Sequence, residues 1–265
     1  MMNMAKAVPL FSGSKGNSYF IGSGGEGVLI DAGRSCKQIE QAMALNGIEM
    51  SSVRAVFVTH EHIDHCAALR VLAKKYRLDV YASAGTLRAM EMSGKLDAST
   101  RTQVIETELA IGDFLVSRIN TPHDAAESCC YRVVCPDGKA ALVATDMGVM
   151  TDGVRIAAAE SDFVVLESNH DIDMLKTGPY PYPLKRRILS DRGHLSNEAC
   201  AAELAELVRS GTLRLMLGHL SEQNNTRALA LRTSVCELER AGMKYNNDFT
   251  LDVAPCVTNA KSVIF

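Results

Sequence analysis

No stretch of the 265-residue chain approaches the roughly 18 consecutive apolar residues of a membrane span, so the sequence offers no membrane helix. The opening segment, MMNMAKAVPLF, has too short an apolar run for a signal peptide, and the expected location is the cytoplasm. Eight cysteines are present, but no CxxC pair and no zinc-finger spacing, so they are expected to be reduced thiols with no assigned chemistry. An excess of positive charge is also missing. With 28 basic and 31 acidic residues the net charge is −3, and no global field advertises nucleic-acid binding, although a local basic patch is not excluded. No low-complexity linker, internal repeat or domain boundary interrupts the chain.

What is present is an alternation of apolar runs and helical patterns. Residues are 47% hydrophobic, enough over this length to bury a core without staples, so a metal site found here needs another purpose. Gly22-Ser23-Gly24-Gly25 reads as a hairpin turn between the runs 18–21 and 27–31. Ser35 caps an amphipathic helix that Gly47 stops. Strands are expected over 53–59, 79–82, 114–119, 128–134, 139–145, 163–167, 213–217 and, closing the chain, 249–253. Further helices are expected over 64–76, 86–92, 196–209 and 226–240. This pattern is that of a layered α/β fold.

Three of the seven histidines fall within six positions, in Thr59-His60-Glu61-His62-Ile63-Asp64-His65, immediately after the strand RAVFV. On an extended segment residues 60 and 62 project to one side, while 64 and 65 open the following helix, so four nitrogen and oxygen donors converge. A lone histidine would be read as a satisfied core or surface residue. HxHxDH after a strand instead has the donor types and spacing of a metal site. His123, Asp146 and His219 each follow a strand end and are the candidates for the remaining ligands.

In this order the residues resemble the metallo-β-lactamase superfamily. The resemblance implies an αββα sandwich of two mixed β-sheets flanked by helices, formed by residues 1–265 as a single domain. It implies two divalent metal ions, zinc in preference to manganese: His60, His62 and His123 for the first, Asp64, His65 and His219 for the second, Asp146 bridging. Redox members carry a glutamate where this chain has His62, which favours hydrolysis. Only 73 positions separate Asp146 from His219, too few for a β-CASP insertion, and 23 separate His123 from Asp146, leaving little room for the arm of transfer-RNA processing enzymes.

His194, in Gly193-His194-Leu195-Ser196-Asn197, is similar to the histidine of phosphodiesterase branches that serves the departing oxygen. It lies just before a helix capped by Ser196 or Asn197 and has no metal slot left to fill. Four further stretches resemble the YycJ (WalJ) family of bacterial 5′ to 3′ DNA exonucleases: 12–18 with Ser14 and Asn17, 167–171 with His170, 178–191 with Lys185, Arg186 and Arg187, and 218–225, where Ser221 or Asn225 is a candidate cap for the next helix. The resemblance implies Asp64 as proton acceptor and His170, the three cations, Ser14 and Asn17 as substrate contacts, with Tyr180 and Tyr182 near enough to stack a base. DNA is the expected substrate before RNA. The alternatives are a small-molecule or cyclic phosphodiesterase, an RNase, a thioester or lactone hydrolase, and a non-catalytic nucleic-acid adaptor. A homodimer is compatible with the superfamily, although no interface is visible in the sequence.

Overall fold

A computed structural model describes residues 4–265; Met1–Asn3, part of the opening segment weighed against a signal peptide, lie outside the described residues. Six strands, β1 (Lys6–Phe11), β2 (Ser18–Ser23), β3 (Glu26–Ile30), β4 (Val53–Phe57), β5 (Asp79–Ala82) and β6 (Thr102–Val104), make a first sheet in sequence order. The second runs through β7 (Glu108–Ile111), β8 (Phe114–Asn120), β9 (Cys129–Val134), β10 (Ala140–Ala144), β11 (Phe163–Glu167), β12 (Arg214–Gly218) and β13 (Thr250–Val253). The chain then returns as β14 (Val263–Ile264) to the free edge of β1. Both sheets are mixed: β3 to β6 and β10 to β13 pair in parallel, the other strands antiparallel.

The layering follows from the two-residue period of strand side chains. Val28, Ile30, Ala55 and Phe57 of the first sheet meet Ala141, Val143, Phe163 and Val165 of the second in one apolar layer. Their alternates Leu29, Val56 and Val58 pack against the helices α1 (Cys36–Leu45), α3 (Leu69–Tyr76) and α4 (Ala84–Met92). Leu142, Ala144, Val164 and Leu166 pack against α5 (Asp152–Ala159), α8 (Asn197–Ser210) and α9 (Arg227–Arg240). The result is the helix, sheet, sheet, helix sandwich, with no helix among the described residues long and apolar enough to cross a membrane.

Local details match the turn and cap chemistry, with corrections. Gly24 and Gly25 alone form the first hairpin loop, both at positive φ (65° and 87°). Ser35 caps α1 in a reciprocal box with Gln38, worth about 1 kcal/mol. The helix expected over 64–76 is two: α2 (Ile63–Cys66) and α3. The break is at Ala68, whose N–H donates to the carbonyl of Ala32, while the Ala32 N–H donates to that of His65, so the chain is clamped to the end of β3 before the helix restarts. Ser196 caps α8, and α9 is capped by Thr226 rather than Ser221 or Asn225. Strand β13 does not close the chain, because β14 follows it. Two short helices, α6 (Ile172–Thr177) and α7 (Tyr182–Ile188), follow β11, and α7 carries the basic run.

Candidate metal centre

The chemistry-bearing residues come from strand ends on one edge of the sandwich. Asp31 follows β3, the 60–65 segment follows β4, His123 follows β8, Asp146 follows β10, Glu167 ends β11 and His219 follows β12. Three of them, Asp31, Asp146 and His219, sit at positive φ (63°, 61° and 53°), a conformation non-glycine residues rarely hold unless the surroundings impose it.

His60, His62 and His123 bring ligand atoms within 4.8 Å of one another, as do Asp64, His65 and His219, and also His60, His65 and Asp146. Asp146 lies between the two sides, its carboxylate 3.3 Å from His65 Nε2 and 3.8 Å from His123 Nε2. Asp64 Oδ2 is 3.4 Å from His65 Nε2 and 3.6 Å from His219 Nε2. All seven predicted ligands are therefore brought together. Each of the four buried histidines among the predicted ligands has one ring nitrogen held from behind: His60 Nδ1 by Thr59 Oγ1 (3.0 Å), His65 Nδ1 by Asp31 (2.8 Å), His123 Nδ1 by the Gly193 carbonyl (3.0 Å) and His219 Nδ1 by Glu167 (3.0 Å).

That arrangement leaves the other nitrogen facing inward, and Nε2 of His60 and of His123, with Asp146 Oδ2, are buried without a hydrogen-bond partner. Buried polar atoms are almost always satisfied, and imidazoles oriented by a partner on the far nitrogen are the usual environment of metal ligands. The donor set fits divalent cations bound by nitrogen and oxygen.

Titration behaviour is consistent with the same charge pattern. Burial pushes His60 and His123 below the ordinary histidine range, keeping them neutral lone-pair donors. Burial alone would also lower His65 and His219, but Asp146 and the neighbouring carboxylates outweigh it; His65 is held well above its ordinary value and His219 is raised to about 10. Burial would raise Asp64 and Asp146, yet the facing histidines hold both below the usual carboxylate range.

A hollow of about 180 Å³ opens over this cluster, lined among others by Ser14, Asp64, Asp146, Tyr180, Arg187 and His194. Larger hollows, about 430 Å³ beside Glu26 and Glu49 and about 520 Å³ beside Arg214 and Asp252, do not face the histidines. His194 hands Nδ1 to Glu167 Oε1 at 2.8 Å and remains partly open to solvent. Glu167, completely buried and with its pKa lowered to about 2, also accepts the N–H groups of Met147 and Leu195. Its burial works against this ionised state and His194 is the leading group that outweighs it.

The remaining predicted contacts divide. Arg187 lines the hollow and is ion-paired with Asp124. Lys185 points away, its Nζ donating to the carbonyls of Lys176 (2.8 Å) and Gly178 (2.7 Å), and Arg186 is exposed on α7. Ser14 reaches the hollow, whereas Asn17 is buried behind it, 3.1 Å from His65 Nε2 and bonded to Gly13. His170 is 1% exposed and does not line the hollow. Cys66, Cys129 and Cys130 are buried, and no disulfide joins any of the eight cysteines. Two residues with a part in the site, Asp31 and Glu167, were not singled out from the sequence. Each is a carboxylate closing an otherwise apolar strand run, VLID and FVVLE, and that is the signal that would have found them.

Comparison with known proteins places these observations in context. A sequence model described as the metallo-beta-lactamase superfamily matches residues 12–219. The chain is 37% identical over 252 residues to a protein of Streptococcus pneumoniae named "Exodeoxyribonuclease WalJ", covering 93% of each. It is 38% identical over 245 residues to "Exodeoxyribonuclease YycJ" of Bacillus anthracis, covering 91% of this chain and 92% of that one. Among solved structures, the metallo-β-lactamase fold protein YhfI of Bacillus subtilis superposes with a TM-score of 0.71 at 17% identity, over 96% of this chain and 98% of that one.

Proposed function

The chain belongs to the metallo-β-lactamase superfamily and, within it, to the family of the YycJ and WalJ proteins, and from that premise we propose that it is a metal-dependent phosphodiester hydrolase acting on DNA from the 5′ end. The observation that carries the phosphodiester reading is His194, which meets the metal cluster, is tied through Nδ1 to a buried glutamate and is left over once His60, His62 and His123 and then Asp64, His65 and His219 are taken as the two ligand sets, although its ligand atom also groups with those of Asp146, Glu167 and His219. DNA is favoured because relatives that share nine-tenths of the chain are named exodeoxyribonucleases. The 5′ polarity rests on the family resemblance.

His60, His62 and His123 would hold one divalent cation, Asp64, His65 and His219 a second, and Asp146 would reach both; zinc suits the imidazole-rich set better than manganese. Bound there, such a pair activates water and offsets charge on phosphoryl oxygens. Asp64, ionised at neutral pH, is placed to accept the proton of the attacking water. Arg187, ion-paired with Asp124, offers a guanidinium at the mouth for a phosphate oxygen. With Nδ1 committed to Glu167, His194 presents Nε2 to the hollow and delivers a proton to the departing oxygen. Tyr180 gives a ring against which a base can stack. His170 and Lys185 are left outside this scheme, and we read the 265 residues as one domain working in the cytoplasm.

The test is degradation of a 5′-phosphorylated, end-labelled DNA strand beside the matching RNA, with zinc and with manganese. Stepwise loss from the 5′ end of DNA is expected. Hydrolysis of a small aryl phosphodiester with neither polymer degraded would keep the metal chemistry and overturn the DNA reading.

A further inference from the structure

Beneath the site lies a buried cluster of uncharged polar side chains that the mechanism does not use. Ser168, Asn169, Asn197 and Asn225 are all at most 5% exposed. Ser168 Oγ donates to Asn197 Oδ1 at 2.6 Å, and Asn197 Nδ2 donates to Asn225 Oδ1 at 3.0 Å. Asn225 Nδ2 serves the carbonyls of Ser168 (2.9 Å) and Asn169 (3.1 Å) and Asn197 Oδ1 (2.8 Å). Three segments meet here: the end of β11 just after Glu167, the first turn of α8 just after His194, and the loop that follows His219.

Backbone bonds continue the connection. Asn169 N–H donates to the carbonyl of Leu195, Ser168 N–H to that of Gly218, and Ser221 N–H to that of Asn169. Asn169 Nδ2 donates to the carbonyl of His219 at 2.9 Å. The cluster thus fixes the spacing between the strand that carries Glu167, the loop that carries His194 and the loop that carries His219. A buried amide network is costly when partly satisfied and specifies one geometry when complete.

We propose that Asn225 and Asn197, with Ser168, are positioning residues that hold Glu167 in register with His194, so that the histidine meets the departing oxygen. This rests on the reading of His194 given above. Loosening the cluster lets β11 and the 194–197 segment shift relative to each other. The Glu167 to His194 bond is then the first casualty, because it spans those two segments and is the short contact of the ring, 2.8 Å against 3.7 Å to Asp146 Oδ1. The candidate ligands His60, His62, Asp64, His65 and Asp146 come from other segments, and His219, on one of the joined loops, keeps a separate anchor in the bond from its N–H to Ser12 Oγ (2.9 Å), so the cations are expected to stay.

The experiment compares wild type, Asn225→Ala, Ser168→Ala and His194→Ala as metal-loaded proteins on two substrates. One is DNA, whose departing alkoxide needs a proton; the other is a bis(nitrophenyl) phosphate, whose departing phenolate does not. Metal content, and the Nδ1–H resonance of His194 in nitrogen-15 histidine-labelled protein, are read alongside. Expected in Asn225→Ala and Ser168→Ala are unchanged metal content, a shifted or lost His194 resonance, and a fall of roughly tenfold or more on DNA alone, part of the ~10²- to 10⁴-fold that a placed proton donor supplies. If Asn225→Ala fails to fold, Ser168→Ala decides. Equal losses on both substrates, or an unchanged resonance and DNA rate, in variants of the cluster would overturn the positioning role. A His194→Ala protein with equal losses on both substrates would instead overturn the reading of His194 itself, and this inference with it.

Discussion

Replacing Asp31 by asparagine removes one charge and reverses one hydrogen-bond polarity directly behind His65. Asp31 is 1% exposed; Oδ1 accepts the Thr59 N–H at 2.8 Å and Oδ2 meets His65 Nδ1 at 2.8 Å. In Asp31→Asn the amide oxygen keeps the Thr59 bond, which turns the NH₂ toward His65. Two donors then face each other unless the ring changes tautomer, and the alternative tautomer puts a proton on Nε2, the nitrogen that faces Asp64 and Asp146. Loss of such a supporting carboxylate lowers metal affinity ~10- to 100-fold, or about 1.4 to 2.8 kcal/mol. The loss belongs to one side of the centre only, because His60, His62 and His123 do not touch Asp31. Competition titration of zinc against a chromophoric chelator should therefore become biphasic, one equivalent as tight as in wild type and one weakened. Two equally weakened equivalents, or two unchanged ones in a folded variant, would refute the reasoning.

Further outcomes follow from the same contacts. A Cβ at Gly33 would lie 1.6 Å from the Asp64 carbonyl oxygen, so Gly33→Ala should displace Asp64, cost at least the ~1 to 3 kcal/mol of ordinary overpacking and lower metal content, read by thermal melting and elemental analysis. Burial pushes His170 down to about 4, so the fold prefers its neutral form and its contribution is complete above the unfolded value of 6.5 and is lost as pH falls toward 4. Relative to His170→Asn, wild type should lose about 3 kcal/mol across that window in urea denaturation of chelator-treated protein; a constant difference would count against it. Arg187→Ala should raise KM on DNA and flatten its salt dependence by about one phosphate contact, while Lys185→Ala should lower thermal stability with KM unchanged.

The sandwich and the clustering of the seven candidate ligand residues were legible because both depend on local pattern. Strands such as 140–144 and 163–167 are largely apolar runs, and Asp146, Glu167 and His219 stand at or just past the ends of such strands. The supporting carboxylates Asp31 and Glu167 carry the same punctuation, but what they do depends on which imidazole lies behind them, and that is set by strands far apart in sequence. Short elements were harder to see. Helices α6 and α7 span only 6 and 7 residues, too few turns for periodicity to stand out. Strand β1 carries Pro9, ordinarily a sign against a strand, and accommodates it beside a register shift between Pro9 and Phe11. The division of the Lys185-Arg186-Arg187 run was invisible because three adjacent residues on a helix point in three directions.

Two cations held at this cluster are proposed to drive phosphodiester cleavage. Chelator-treated protein should be titrated with zinc, and separately manganese, while bound metal and loss of 5′-labelled DNA are followed together. No turnover is expected without metal, and activity should rise to a plateau as the second equivalent binds. Full DNA degradation by protein with no measurable bound metal would contradict it.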